Sequence, residues 1–253
     1  MPLDKGLRER WRSAGYPDGM GSSSVVSPPH ASLLRVYHLT SAMHGINSIA
    51  MARLKVSRFS DLNDPFEAMG PMWRRIELRS KVRELRDRWD SKLGLLCFSS
   101  DWTNPVLWSH YADRHKGICL GFDVPREHAK SVVYEAKRLD IRTAEFEQLQ
   151  DAPEPPDEIL LTKFKHWDYE AERRVFLNLS ECTKEGSLFF WPFGSTLRLA
   201  EVILGDLCPL DLTAVKSMAA CRALGPVVFR ARLAGKSFNV VPDGDTVGTA
   251  NAV

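Results

Sequence analysis

Short stretches of alternating or continuous apolar residues recur along the chain and predict many strands with a few helices between them. The predicted strands are LLRVYHL (33–39), LKVSRF (54–59), LGLLCFSS (93–100), GICLGFD (117–123), SVVYEA (131–136), VFLNL (175–179), AEVILG (200–205), VVFRARL (227–233) and FNVVP (238–242). Apolar residues at helical spacing predict helices over residues 41–52, 76–92, 105–116, 158–167 and 211–223. This order is not the strict βαβα alternation of a parallel sheet, so we predict an α+β fold with mixed, largely antiparallel sheets and flanking helices.

The two ends of the chain differ in composition from its middle. Residues 12–31 are rich in Gly, Ser and Pro, and the final PDGDTVGTANAV is rich in small and polar residues. Such segments bury too little apolar surface to offset the entropy of ordering them. We therefore predict a flexible leader over residues 1–31, a single α+β catalytic-like domain over residues 32–242 and a flexible tail over residues 243–253.

Composition and charge narrow the class of protein. The 253 residues carry a formal net charge of +2, so the chain lacks the strong basic field of dedicated nucleic-acid binders. No run approaches the roughly 18–20 apolar residues of a membrane helix, and the N-terminus lacks the apolar core of a secretory signal. The five cysteines are widely spaced and form no CxxC, which disfavours a disulfide framework or a structural zinc site. We expect a cytoplasmic protein with no membrane partner.

The densest collection of polar side chains is WSHYADRHKG, residues 108–117. Its surroundings predict one complete helix, because Asn104 fits the N-cap, Pro105 the first position and Gly117 the left-handed position after the end. One face of this helix either packs on the sheet or lines a pocket. That face carries Trp108, Tyr111, Ala112 and His115.

Two groups of residues raise the question of a metal ion. His110 and His115 are five positions apart, roughly 140° around a helix, so they cannot hold one ion together. Asp61, Asp64 and Glu67 in DLNDPFE could bind a divalent ion through oxygens, although such residues more often build the turn itself. We expect no metal site, and the role of His110 stays open.

A histidine ends the first predicted strand. Strand alternation places Tyr37 and His38 on opposite faces, and Thr40 follows at the start of the next helix. An imidazole at a strand end can reach into a cleft. The alternative is a core histidine satisfied by the backbone.

Two glutamates lie two positions apart where a predicted helix meets a strand. If this junction is extended, Glu170 and Glu172 face the same side, and Arg173 or Arg174 could hold one of them ionised. A carboxylate at the mouth of a sheet can accept a proton or stabilise a developing cation. The alternative is an ion-pair cluster on the surface.

Several of these segments together resemble a widespread bacterial family that is known only as a domain of unknown function. The resemblance covers roughly residues 33–206, and Leu39 departs from it because family members often have an aromatic residue there. The motifs that carry it, in the family's order, are YHLT (37–40), LNDPFE (62–67), WSHYADRHKGICLGFD (108–123), KFKHWDYEAERR (163–174) and AEVILG (200–205).

The order of these motifs looks like that of the ADP-ribosyltransferase superfamily: an aromatic-His-x-Thr on the first strand and a late glutamate just before a strand. The resemblance implies NAD as substrate, His38 orienting it, Tyr111 or Trp108 stacking on the nicotinamide and Glu172 in catalysis, with Glu170 as second carboxylate. It also assigns further residues to the site. Those in NAD binding are Tyr37 and Thr40, and those in support are Ser99, His110, His115 and Arg173.

A rival mapping onto the same superfamily uses Arg35, Ser99, Ser100 and Glu170-x-Glu172, which imitate its Arg/Ser/Glu subclass. We prefer the histidine version, because His38 belongs to a family motif and Arg35 does not.

The expected function is an ADP-ribosyltransferase-like enzyme that cleaves NAD and transfers ADP-ribose to an unknown acceptor, in toxin or defence biology. That acceptor is a protein, a nucleic acid or a small molecule, and a partner protein is possible. One alternative is a metal-dependent hydrolase or nuclease using His110, Asp64, Glu67 and the late glutamates. Another is a non-catalytic binding domain whose motifs only maintain the fold.

Overall fold

The computed structural model describes residues 30–64, 66, 71–72, 78–140, 149, 152 and 155–247. Residues 1–29 of the predicted leader, residues 248–253 of the predicted tail and Glu67 of the acidic turn lie outside the described residues.

The described residues form strands, α-helices and short 3₁₀ helices. The strands are β1 (Leu33–Thr40), β2 (Arg53–Val56), β3 (Pro71–Met72), β4 (Leu93–Ser99), β5 (Ile118–Pro125), β6 (Lys130–Ser131), β7 (Val133–Glu135), β8 (Leu139–Asp140), β9 (Thr162–Phe164), β10 (Glu172–Asn178), β11 (Thr183–Glu185), β12 (Leu188–Pro192), β13 (Arg198–Leu204), β14 (Val227–Leu233) and β15 (Val240–Pro242). The α-helices are α1 (Ala42–Met51), α2 (Leu78–Asp90), α3 (Pro105–Tyr111), α4 (Asp157–Leu161), α5 (Leu212–Cys221) and α6 (Gly244–Val247), and the 3₁₀ helices are Phe59–Asp61, Lys165–Glu170 and Leu179–Glu181.

Eight strands form the main sheet, in the order β15-β14-β13-β5-β1-β4-β10-β6. Neighbours in it run antiparallel, except that β13 and β14 are parallel. Smaller sheets consist of β11-β12-β2, β3-β8 and β7-β9, and the last two are parallel pairs. The fold is therefore mixed α+β with a curled, mostly antiparallel sheet and flanking helices, which confirms the predicted class at this level.

Side-chain alternation divides the sheet into two apolar faces. On one face, Val36 of β1 belongs to a core cluster with Ile49 of α1 and Val215 of α5. On the other, Tyr37 belongs to a cluster with Trp102 and with Trp108 of α3. Successive residues of β1 thus enter opposite clusters, as the period of a strand requires.

The main sheet separates between β1 and β4. These strands share a single residue pair, Tyr37 with Ser99. By contrast, β1 is paired with β5 along all of Leu33–Thr40, and β10 with β4 along all of Glu172–Asn178. Beyond Tyr37 the two halves of the sheet therefore diverge, and this divergence leaves room for a cavity.

The predicted helix over residues 105–116 is shorter than expected. Asn104 caps it as predicted, since its side chain accepts a hydrogen bond from Val106 N, but α3 ends at Tyr111. Three consecutive residues, Asp113, Arg114 and His115, then adopt positive φ angles of 44°, 54° and 69°. The prediction that Gly117 takes the left-handed position was wrong.

Gly117 is needed for a different reason. A Cβ on this residue would lie 2.2 Å from the Thr40 carbonyl oxygen and 2.8 Å from the backbone of Ala112. Its backbone carbonyl also accepts a hydrogen bond of 3.0 Å from Gly205 N. The close approach of three chain segments therefore selects glycine at this position.

The predicted helix over residues 158–167 breaks after its first turn. Pro156 occupies the N-cap position, and α4 ends at Leu161. Residues Thr162–Phe164 then form β9, because they pair in parallel with β7. Within the described part of the chain, no helix is long and apolar enough to cross a membrane.

The described cysteines are all free. Cys119 and Cys208 are buried, whereas Cys97 is only half-buried.

Candidate active site

A cavity of about 240 Å³ lies where β1 and β4 separate. Its walls come from the end of β1, the end of β4, α3, β9 and the start of β10. The polar side chains that line it include His38, Ser99, Tyr111, Lys163, Glu170 and Glu172. Motifs that are far apart in the sequence thus converge on one space.

The two predicted glutamates share one cation. The Nζ atom of Lys163 lies 2.5 Å from Glu170 Oε2 and 3.0 Å from Glu172 Oε2. All three side chains are almost fully buried, with 3% exposure for Lys163, 6% for Glu170 and 5% for Glu172. Buried charges persist in proteins only when they are paired in this way.

Glu172 is the first residue of β10, which begins three residues before the predicted strand VFLNL. It pairs with Ser99, and Ser99 pairs with Tyr37, so these three residues lie side by side across three strands. Arg174 donates from Nε to Glu172 Oε1 at 2.8 Å and from Nη2 to Oε2 at 3.0 Å. Burial would raise the pKa of Glu172, but Arg174 and Lys163 outweigh it and lower the pKa to about 2.

Glu170 lies at the end of a 3₁₀ helix, so the junction does not meet the condition of being extended under which the two carboxylates were expected to face the same side. Ala171 follows in a left-handed conformation with φ of 44°, and both carboxylates still reach Lys163. The Ser99 hydroxyl donates to the Glu170 carbonyl at 2.7 Å and anchors this turn on β4. Burial raises the pKa of Glu170, and its contacts with Lys163 and Tyr111 offset only part of that rise.

Tyr111 connects α3 to the carboxylate pair. Its hydroxyl donates to Glu170 Oε1 and accepts a hydrogen bond of 2.9 Å from Asn63 Nδ2. Asn104, at the other end of α3, donates to the Tyr169 carbonyl at 3.1 Å. Both ends of the short helix are therefore tied to the 3₁₀ helix that carries Glu170, and burial raises the pKa of the Tyr111 hydroxyl.

His38 reaches across the separation between β1 and β4. Its Nδ1 atom lies 3.2 Å from the Cys97 carbonyl oxygen. The centroids of the His38 and Phe98 rings are 6.1 Å apart, and the rings meet edge to face. A carbonyl can only accept, so Nδ1 carries the proton of the neutral ring and Nε2 is left as an acceptor. Burial lowers the pKa of His38, which favours this neutral form.

Trp108, which was assigned to NAD binding, packs in the core and does not face the cavity. It is 0% exposed, and its Nε1 donates to the Trp102 carbonyl at 2.6 Å. The ring of His115 stacks on it at 6.2 Å. His110 is exposed and lies near the rings of Tyr111 and Tyr169, at 6.2 and 6.0 Å.

Two further predicted residues also lie away from the cavity lining. Thr40 pairs with Ile118, and its carbonyl abuts Gly117. Arg173 points to the opposite face of β10 from Glu172, where its Nη1 donates to the Ser131 hydroxyl. Arg174, and not Arg173, holds Glu172.

The rival mapping through Arg35 does not converge on this cavity. Arg35 is buried in an ion pair of 2.6 Å with Asp123 and another of 3.1 Å with Glu201. Ser100 is exposed and donates to the Ala171 carbonyl at 3.1 Å. Of that set, Ser99 and the two glutamates line the cavity.

Among the polar residues of the site that were not assigned from the sequence, three make hydrogen bonds to the two glutamates or to Tyr111. They are Lys163, Asn63 and Tyr134, whose hydroxyl accepts a 2.8 Å hydrogen bond from Glu172 N. Lys163 and Asn63 belong to the motifs KFKHWDYEAERR and LNDPFE, so motif membership was the signal that could have found them. Tyr134 carries no comparable signal.

The metal alternative receives no cluster from the described residues. In them, no three His, Cys, Asp or Glu side chains come together in a way that could hold an ion. Asp64 accepts a hydrogen bond of 2.9 Å from Phe66 N, which is the turn-building role. Between the two glutamates, the place of a cation is taken by the Lys163 ammonium group.

No protein-family model, curated protein or solved structure matches this chain. The family resemblance drawn from the motifs therefore stays a prediction. The geometry stands by itself: two carboxylates with pKa values shifted in opposite directions share one cavity with a neutral histidine and a tyrosine. Two carboxylates whose pKa values differ in this way are suited to different roles in one reaction.

Proposed function

We propose that this chain is an ADP-ribosyltransferase-like enzyme that breaks the nicotinamide–ribose bond of NAD and transfers ADP-ribose to an acceptor. The observation that carries the proposal is the convergence of His38, Tyr111, Glu170 and Glu172 on one cavity of about 240 Å³. The first-strand histidine and the glutamate that opens a later strand also agree with the motif order of that superfamily. A role in toxin or defence biology follows from the resemblance alone.

The proposed chemistry needs a fixed negative charge beside the ribose. When the bond between ribose C1′ and nicotinamide breaks, its electron pair leaves with nicotinamide and the ribose becomes an oxocarbenium-like cation. Glu172 is suited to stabilise this cation, because its low pKa keeps it ionised and Arg174 holds both of its oxygens in place. Stabilisation by a group that is already oriented requires no reorganisation during the reaction.

The second carboxylate is suited to move a proton. The acceptor's hydroxyl or amine attacks C1′ and must lose its proton as the new bond forms. Glu170 has a raised pKa and is within reach of the same space, so it is assigned to take that proton. Tyr111 and Lys163 orient its carboxylate.

Two further groups are suited to bind NAD. The neutral imidazole of His38 offers Nε2 as an acceptor for a ribose hydroxyl or for the nicotinamide amide. The half-buried ring of Tyr111 offers an aromatic face to the positively charged pyridinium. With Trp108 in the core, the stacking role falls to Tyr111.

The experiment is nicotinamide release from NAD by the purified full chain, with cell lysate added as a source of acceptors. We expect release by the wild type and a decrease of about 10²–10³-fold in Glu172→Gln. The matched control is Glu185→Gln, which removes a carboxylate that pairs with Arg53 on the small β11-β12-β2 sheet. It should leave release unchanged.

Glu172→Gln leaves Arg174 buried without its carboxylate, so its folding must be checked by circular dichroism and thermal melting. Glu170→Gln is the second variant, since a group with a raised pKa tolerates a neutral replacement better. Activity lost in a folded Glu170→Gln protein supports the proposal. A folded wild type that neither binds NAD in calorimetry nor releases nicotinamide contradicts the proposal. If replacing the motif residues only unfolds the chain, the binding-domain alternative is favoured.

A further inference from the structure

A second cavity, of about 260 Å³, adjoins the first. Lys163 contributes to the lining of both cavities, so they are neighbours on either side of one side chain's position. The other residues that line the second cavity include Phe66, Glu135, Lys137, Arg138 and Phe164. The volume approaches the lower end of small-molecule sites, roughly 300 Å³. Apart from Lys163, no residue assigned to the proposed transfer reaction lines this space.

The parallel pair of β7 and β9 contributes residues to the second cavity, and Lys163 of β9 also lines the first. Tyr134 pairs with Lys163, and Glu135 pairs with Phe164. Because side chains alternate along a strand, the first pair and the second pair point to opposite faces. One face therefore supplies Tyr134 and Lys163 to the carboxylates, and the other supplies Glu135 and Phe164 to the second cavity.

The second cavity combines exposed aromatic rings with the cations Lys137 and Arg138, and its lining also includes the carboxylates of Asp64 and Glu135. Phe66 is 55% exposed and Phe164 is 46% exposed, so both rings are accessible to a ligand. The Arg138 guanidinium lies 5.3 Å from the centroid of the Phe66 ring, and the ring of His166 stacks on Phe164 at 4.6 Å. Lys137 is exposed beside them.

We propose that this second cavity binds a nucleobase that carries phosphate. Aromatic faces stack on a base of any identity, and Arg and Lys side chains attract its phosphate. Either of two sources could supply this unit: the adenosine diphosphate half of NAD, or a separate acceptor nucleotide. The role of the second cavity in ADP-ribose transfer rests on the proposed function, whereas nucleotide binding to this cavity does not.

The first experiment measures binding of adenosine monophosphate to the full chain by calorimetry. We expect Phe164→Ala to weaken this binding at least tenfold, because it removes a stacking face. The matched control is Phe238→Ala, which removes a phenyl group that is 97% exposed and outside both cavities. Equal binding by wild type and Phe164→Ala would overturn the inference, as would no binding to the wild type.

The second experiment separates the phosphate from the base. Adenosine, which lacks phosphate, should bind more weakly than adenosine monophosphate. Replacing Lys137 and Arg138 together with glutamine should bring the two affinities together without changing that of adenosine. The control replaces two exposed cations away from the cavity, Arg222 and Lys236, in the same way. A double variant that still prefers the phosphate would contradict the charge argument.

Competition with NAD distinguishes the two sources. If adenosine monophosphate displaces NAD, the cavity takes the adenosine diphosphate half; if both bind together, it takes a separate acceptor nucleotide. Both outcomes support the inference. If nicotinamide is released but Phe164 has no effect on nucleotide binding, the inference fails and the proposed function stands. If nucleotide binding depends on Phe164 but NAD is never cleaved, the proposed function fails and the inference stands.

Discussion

The cation shared by Glu170 and Glu172 gives the sharpest test of the site's electrostatics. Replacing Lys163 with methionine keeps an unbranched side chain that is one atom shorter and removes its charge. The Lys163 Nζ atom lies 2.5 Å from Glu170 Oε2 and 3.0 Å from Glu172 Oε2. These two carboxylate oxygens are therefore no further apart than the two distances added together. At about 5 Å, two like charges repel by about 3 kcal/mol with an effective dielectric constant of about 20.

That magnitude agrees with experience of buried ion pairs. Removing one partner of such a pair typically costs about 3–5 kcal/mol. Glu172 keeps Arg174 as a partner, so most of the effect falls on Glu170. The pKa of Glu170 should therefore rise further in this variant, because its nearest cation is removed and the Glu172 carboxylate remains.

The sign of the pH dependence follows from that rise. A carboxyl group whose pKa is higher in the folded than in the unfolded state destabilises the fold increasingly as the pH rises from the unfolded pKa through the folded one. The free energy of unfolding of Lys163→Met should therefore fall furthest below that of the wild type near pH 7.5. The deficit should shrink near pH 4.5, where Glu170 is protonated.

The assay is urea unfolding of both proteins at pH 4.5 and pH 7.5. Lys165→Met is the matched control, because Lys165 is exposed two residues further along the chain. Its free energy of unfolding should stay within about 0.5 kcal/mol of the wild type at both pH values. A Lys163→Met deficit of the same size at both pH values, or no deficit, would refute the shared-cation reasoning.

Two further predictions concern the same structure. The pKa of Glu172, lowered to about 2, contributes about 3 kcal/mol of stability that is present above pH 4.5 and is lost as the pH falls through 2. Glu172→Gln should flatten this part of an acid-unfolding curve followed by circular dichroism, and an unchanged curve would contradict the assignment. Gly117→Ala should lower the Tm by about 5–10 °C, because its Cβ would lie 2.2 Å from a carbonyl oxygen, whereas Gly194→Ala has open space and should not. Equal Tm values for the two variants would contradict that packing argument.

Much of the sheet was predictable because its signals are local. The segments that became β1, β4 and β5 are apolar enough to be recognised without knowledge of their neighbours. The separation of β1 from β4 was not predictable, because it depends on where pairing stops between strands that are distant in sequence. The cavity itself was therefore invisible, although most of the residues around it lie in quoted motifs.

The role of Lys163 was missed for a specific reason. Residues 158–167 have an apolar pattern that suits a helix, and in a helix Lys163 would have no fixed relation to Glu172. Parallel pairing with β7 breaks that helix after Leu161 and places Lys163 on a strand. Pairing between segments about 30 residues apart overrides local propensity here, as tertiary contacts commonly do.

The turn after α3 shows why a motif so rich in functional side chains supplies only one of them to the cavity. Left-handed non-glycine residues cost of order 1–3 kcal/mol each and persist only where their surroundings require them. Here the ring of His115 stacks on Trp108. The backbone N–H of His115 donates to the Trp108 carbonyl at 3.2 Å, and the His115 carbonyl accepts a hydrogen bond of 3.1 Å from the backbone N–H of Leu207. These contacts join α3 to the chain that follows β13, and Gly117 brings the same turn against the end of β1. The conspicuous histidine and tryptophan thus hold the helix that presents Tyr111, which makes them positioning residues for a site they do not touch.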